Sequence, residues 1–113
     1  MSASLYDRFA DAARRFPDHH AVAAADCPPV TYAELDQRIT AFAAELHALG
    51  VAGERVGILL PNVAAFPVAF YGVLRAGASA LLLNPQYSRR EIAEYMADAG
   101  ASTVVNAGNS RSI

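Results

Sequence analysis

The chain has 113 residues, 54% of them hydrophobic and 18% charged, with a formal net charge of −2. That length is one domain or part of one, and folding buries roughly two-thirds of the unfolded surface. This composition excludes an intrinsically disordered chain, and a pI near 5.8 argues against nucleic acid as a partner held through its phosphates.

A single cysteine, Cys27, excludes a disulfide framework or a cysteine zinc site and points to a cytoplasmic setting. All nine basic residues are arginine, so chemistry that needs a lysine is excluded for this chain.

In chain order, residues 4–15 are predicted to form a helix, with Leu5, Phe9, Ala12, Ala13 and Phe16 at helical spacing and Pro17 ending it. Asp7, Arg8, Asp11, Arg14 and Arg15 interrupt this segment, which therefore lacks the apolar stretch of a signal peptide. Residues 20–25 read as a strand running into the turn Asp26-Cys27-Pro28-Pro29.

From Thr31 a unit of helix, glycine and apolar strand repeats. Thr31 and Glu34 form a capping box. The helix it opens carries Leu35, Ile39, Phe42, Leu46 and Leu49 on one stripe and stops at Gly50. A continuous apolar strand follows over residues 55–60 and ends at Pro61. Asn62 is placed to cap the next helix, with Pro67 in its first turns, Phe66, Phe70, Tyr71 and Leu74 on its apolar face, and Gly77 at its end. Residues 79–83 form the next strand, and Ser88 and Glu91 form a second capping box, opening a helix that closes at Gly100. A last strand spans residues 102–106, and 107–113 is a polar tail.

Residues 63–83 are long enough to cross a bilayer and carry only Arg75, but Pro67, Gly72 and Gly77 break them. A buried helix and a buried strand explain them better, so no membrane span is expected. The strands do not alternate polar and apolar residues, which predicts covered faces. The expected fold is α/β, a small open and mainly parallel sheet flanked by helices.

Few residues suggest chemistry. The glycines follow helices rather than strands, which makes them helix caps and not a phosphate-cradling loop. His19, His20 and His47 lack metal-cluster spacing. Cys27 sits before two prolines with no nearby group to activate it. Asp26, Glu91, Glu94 and Asp98 are weighed as acid–base groups and set aside, because Glu91 fits the capping box and Glu94 a solvated helix face. The stretch Asn84-Pro85-Gln86-Tyr87-Ser88-Arg89-Arg90 follows a strand's carboxyl end and opens a helix, where open α/β sheets place ligands. The competing reading is a plain loop with two solvated arginines.

The order of several motifs carries a resemblance. Thr31-Tyr32-Ala33-Glu34-Leu35, Gly50-Val51, Arg55-Val56-Gly57-Ile58-Leu59-Leu60-Pro61-Asn62, Phe70-Tyr71-Gly72-Val73-Leu74-Arg75-Ala76-Gly77-Ala78, Leu83-Asn84-Pro85 and Arg90-Glu91-Ile92 together resemble the opening of AMP-forming acyl-CoA synthetases, members of the adenylate-forming superfamily. The resemblance covers residues 5–105. It implies that residues 1–106 are part of the N-terminal α/β subdomain of an AMP-binding domain. It also implies a complete enzyme that activates a carboxylic acid, expected to be a fatty acid, with ATP and Mg, and passes the acyl group to CoA.

In the family, the phosphate loop with its lysine, the adenine and ribose motifs and the C-terminal catalytic lysine come later. The chain is therefore expected to be a truncated portion, inactive alone, and without a cofactor of its own. Its expected partners are the remainder of a synthetase or a second copy bound through exposed apolar surface. Two alternatives are an interaction module that complements a separately encoded remainder, and a weak CoA- or nucleotide-binding domain. One family site is carried over: the residue after Asn-Pro, near the CoA nucleotide and often arginine. Here it is Gln86, a departure that weakens phosphate binding, with Arg89 and Arg90 as the cations placed to compensate.

Overall fold

A computed structural model of the chain describes residues 5–22, 28–60 and 65–106. They form helix α1 (Leu5–Arg15), strands β1 (His20–Val22) and β2 (Val30–Thr31), helix α2 (Tyr32–Ala48), strand β3 (Arg55–Leu59), helix α3 (Ala65–Arg75), strand β4 (Ser79–Leu82), helix α4 (Arg89–Ala99) and strand β5 (Thr103–Asn106). The main sheet is parallel, in the order β4-β3-β5. This is the α/β architecture expected from the repeated units. An antiparallel ribbon of β1 and β2 stands apart from it, a pairing the sequence reading did not anticipate. The expected turn residues Asp26 and Cys27 and the expected cap Asn62 lie outside the described residues.

Both capping boxes form. The Glu34 N–H donates to Thr31 Oγ1 at 3.2 Å and the Thr31 N–H donates to Glu34 Oε1 at 3.0 Å. These bonds hold the Glu34 carboxyl below the usual glutamate range, the backbone hydrogen bond from Thr31 being the largest cause. A depressed carboxylate adds stability above its unfolded pKa, and that contribution is lost as pH falls through the folded value. Gly50, Gly77 and Gly100 adopt φ of 75°, 84° and 69°, the left-handed conformation that ends each helix without a Cβ penalty.

The two faces of the sheet are covered differently. On one face Val56 and Ile58 of β3, both fully buried, join Val105 of β5 and pack on Ala43 and Leu46 of α2 and Ala69 and Val73 of α3. On the other lies Gly57, where a Cβ would stand 2.7 Å from Met96 Sδ of α4. Thus α3 covers one face and α4 the opposite one. A second cluster, Phe9, Ala13, Val30, Leu35 and Ile39, joins α1 to the start of α2, with Phe9 stacked on Tyr71 of α3 at 5.0 Å.

Several residues expected on buried stripes sit elsewhere. Leu5, Phe16 and Leu49 are exposed, lying at helix ends that no other element covers. In α3 the buried residues are Ala69, Gly72 and Val73, while Phe66, Phe70 and Tyr71 are half-buried at the margin. The cause is a close crossing with α2, since a Cβ on Gly72 would lie 2.7 Å from Phe42 Cδ2. No described helix is long and apolar enough to cross a membrane.

Arg75, the charge within the apolar stretch, has a role between helices. Its Nη1 donates to Tyr6 Oη at 2.7 Å and to Thr40 Oγ1, and the Tyr6 hydroxyl donates to Asp36 Oδ1 at 2.8 Å. The Arg75 guanidinium also lies over the Tyr6 ring, 5.0 Å from its centroid. Burial, then the hydrogen bond to Asp36, pushes the Tyr6 hydroxyl pKa up. One polar cluster thereby ties α1, α2 and α3 together.

Ile39 is fully buried where α1 meets α2. Ile39→Ala is expected to cost about 2–5 kcal/mol, read from the shift in a urea unfolding curve; an unchanged midpoint would show that α1 does not pack there.

Candidate functional site

Strand β3 leads to α3 on one face of the sheet, and its neighbour β4 leads to α4 on the other. Chain connections therefore leave adjacent strands toward opposite faces, the topological switch beside whose carboxyl ends open α/β sheets usually place ligands. The stretch from Asn84 to Arg90 lies at this point.

Local chemistry shapes the loop. Asn84 Oδ1 accepts from the Gln86 N–H at 2.9 Å and the Asn84 carbonyl accepts from the Tyr87 N–H at 3.0 Å, the asparagine turn that residues before a helix favour. The Glu91 N–H then donates to Ser88 Oγ at 3.1 Å, and the Ser88 N–H donates to Glu91 Oε1 at 2.9 Å. Tyr87 stacks on Tyr95, nearly two turns into α4, with ring centroids 5.0 Å apart. A hydrogen bond with the Tyr87 side chain is the main influence raising the Tyr95 hydroxyl pKa. The sequence reading did not single out this pair, although Tyr95 follows Glu91 by one helical turn.

Gln86, Arg89 and Arg90 are all exposed in this loop and the first turn of α4. Their charges are not equivalent. Arg90 Nε pairs with Glu94 Oε1 at 3.3 Å, an i,i+4 surface pair of small energetic value. Arg89 makes no ion pair among the described residues. Glu91 places a carboxylate at the helix N-terminus and engages the dipole there. An anion approaching the loop therefore meets the Arg89 cation, the uncharged Gln86 amide and the Glu91 carboxylate.

The other candidates stay apart. His19 stacks on Phe16 at 5.1 Å, and His20 and His47 are exposed on separate elements. Among the described residues no three His, Cys, Asp or Glu side chains gather in a way that could hold a metal ion. The described residues therefore do not fit Mg.

The fold is a three-stranded parallel sheet with helices on both faces, and the loop follows the carboxyl end of β4. The profile of the AMP-binding enzyme family matches residues 9–112, and the chain belongs to that family. It is 38% identical over 108 residues to a long-chain-fatty-acid–CoA ligase of Escherichia coli, a match covering 94% of this chain and 19% of the relative. Over 100 residues it is 44% identical to the salicyl-AMP ligase / salicyl-S-ArCP synthetase of Mycobacterium tuberculosis, covering 84% of this chain and 18% of that one. Among solved structures, the N-terminal subdomain of Klebsiella oxytoca NpsA in complex with anthranilyl-AMSN superposes with a TM-score of 0.88 at 26% identity, over 96% of this chain and 28% of that one. The chain thus spans about a fifth of the length of the curated relatives.

The Ser88 cap sets where the loop ends and α4 begins. Ser88→Ala is expected to destabilise the protein by about 1 kcal/mol in urea unfolding, with loss of helical circular dichroism at the midpoint; full retention of stability would mean that the cap does not hold the loop.

Proposed function

We propose that this chain is the N-terminal framework of an ATP-dependent acid–CoA ligase, which adenylates a carboxylic acid and passes the acyl group to a thiol. The observation that carries this is a family match spanning residues 9–112, on a parallel α/β fold whose Asn84 to Arg90 loop follows the carboxyl end of β4. The fatty-acid ligase relatives, matched over 94% of the chain, favour a fatty acid as substrate. An aryl acid is the second reading, favoured by the 44% identity to the salicyl-AMP ligase.

In this reading the chain performs no bond-making step itself. It contains no lysine, so any lysine that acts on the ATP phosphates and the acyl-adenylate comes from other residues of the enzyme, in the same polypeptide or a separate one. What the chain contributes is position: β3 and β4 present the loop, Gln86 and Arg89 face a CoA phosphate or other nucleotide phosphate, and Arg90 supports them once released from Glu94. CoA, ATP and Mg belong to the assembled enzyme, where CoA accepts the acyl group as a thioester. The single cysteine supports a cytoplasmic setting.

Two measurements test this. Mixed with the later residues of the Escherichia coli long-chain ligase, the chain is expected to restore acyl-CoA formation, and failure with both fatty and aryl acids would count against the framework role. In a CoA titration of that assembly, the double variant Arg89→Ala/Arg90→Ala is expected to raise Kd about tenfold; an unchanged Kd would remove the loop from the CoA site.

A further inference from the structure

We propose that α4 is a separate opening unit: it lifts from the sheet while β3 and the helices on the other face stay folded, and it carries the Asn84 to Arg90 loop with it. The sealing of the two faces differs sharply. α2 buries Leu35, Ile39, Ala43 and Leu46, and α3 buries Ala69, Gly72 and Val73, whereas α4 buries no residue. Local opening follows the elements with the least buried apolar surface.

What holds α4 down is small and identifiable. Half-buried Met96 reaches over Gly57, whose missing Cβ makes room for its sulfur. Ile92 and Ala99 are half-buried beside it on the same helical face. At the carboxyl end, Arg55 Nη1 donates to the Ala99 carbonyl at 3.0 Å, an exposed bond. Tyr95 is 45% exposed and stacks on Tyr87 of its own loop rather than on the sheet. The stack and the Ser88 capping box are contacts within the loop–helix segment, so they persist when α4 lifts. They make loop and helix move as one body.

The ends of that body are suited to hinging. Gly100 sits at φ 69° after the last turn, and at the other end Asn84-Pro85 follows the last buried residue of the β4 segment, Leu83. The proposal does not rest on any ligand reading. It makes the candidate loop mobile as a unit rather than residue by residue.

Hydrogen exchange on the ligand-free 113-residue chain tests it, corrected for intrinsic rates and read at the amides of Tyr95 to Ala99 against those of Ile39 to Leu46 and of Val56 and Ile58. The α4 amides are expected to exchange at least tenfold faster than the others. Met96→Ala is expected to accelerate α4 a further ~5- to 30-fold, the factor a loss of one or two kcal/mol produces, and to leave the α2 and β3 amides unchanged. Equal exchange in all three elements, fast or slow, would overturn the proposal, as would a Met96→Ala effect of the same size in α2.

Discussion

The structure depends on the pairing of β3 with a parallel strand on each side. Parallel strands need a crossover between them, so the order β4-β3-β5 sends the chain through α3 to one neighbour and through α4 to the other. Right-handed crossovers in opposite directions place those helices on opposite faces, as observed. Val56 and Ile58 must then be apolar against α2 and α3 while Gly57, between them, must be small against Met96. Three consecutive residues thereby fix both layers.

The same arrangement sets the position of the candidate loop. β3 and β4 stay paired to their carboxyl ends, where the Leu83 N–H donates to the Ile58 carbonyl at 2.9 Å, and hand the chain from there to helices on opposite faces, with the Asn84 loop following directly. The groups it offers are few: one arginine outside any described ion pair, one arginine held by Glu94, and an amide at Gln86. The Arg75 cluster serves the opposite end of α3, fastening α1 and α2 through Tyr6, Asp36 and Thr40.

Features governed by neighbours in sequence were legible without coordinates. The two capping boxes, the glycine stops and the three strands of the parallel sheet each depend on a few adjacent residues, and each formed within a residue or so of its expected bounds. Features governed by distant partners were not. The β1–β2 ribbon joins residues on either side of residues 23–29, and its short strands carry no alternation to announce them. Phe66 and Phe70 of α3 do pack half-buried against the core, but which residues are fully buried was not legible, because the close crossing on Phe42 selects Ala69, Gly72 and Val73. The role of Arg75 was not legible because its partner Tyr6 lies 69 residues away. At the candidate site the loop and the Ser88 cap were readable, but the pairing of Arg90 with Glu94 and the Tyr87–Tyr95 stack decide which groups face outward.

The central claim is that this chain supplies framework and not phosphate chemistry. ATP–pyrophosphate exchange by the purified 113-residue chain, with fatty and aryl acids, tests it most directly. The account predicts no exchange above the enzyme-free background with any acid. Exchange that rises with chain concentration would contradict it, because a lysine-free layer would then be building the adenylation site by itself.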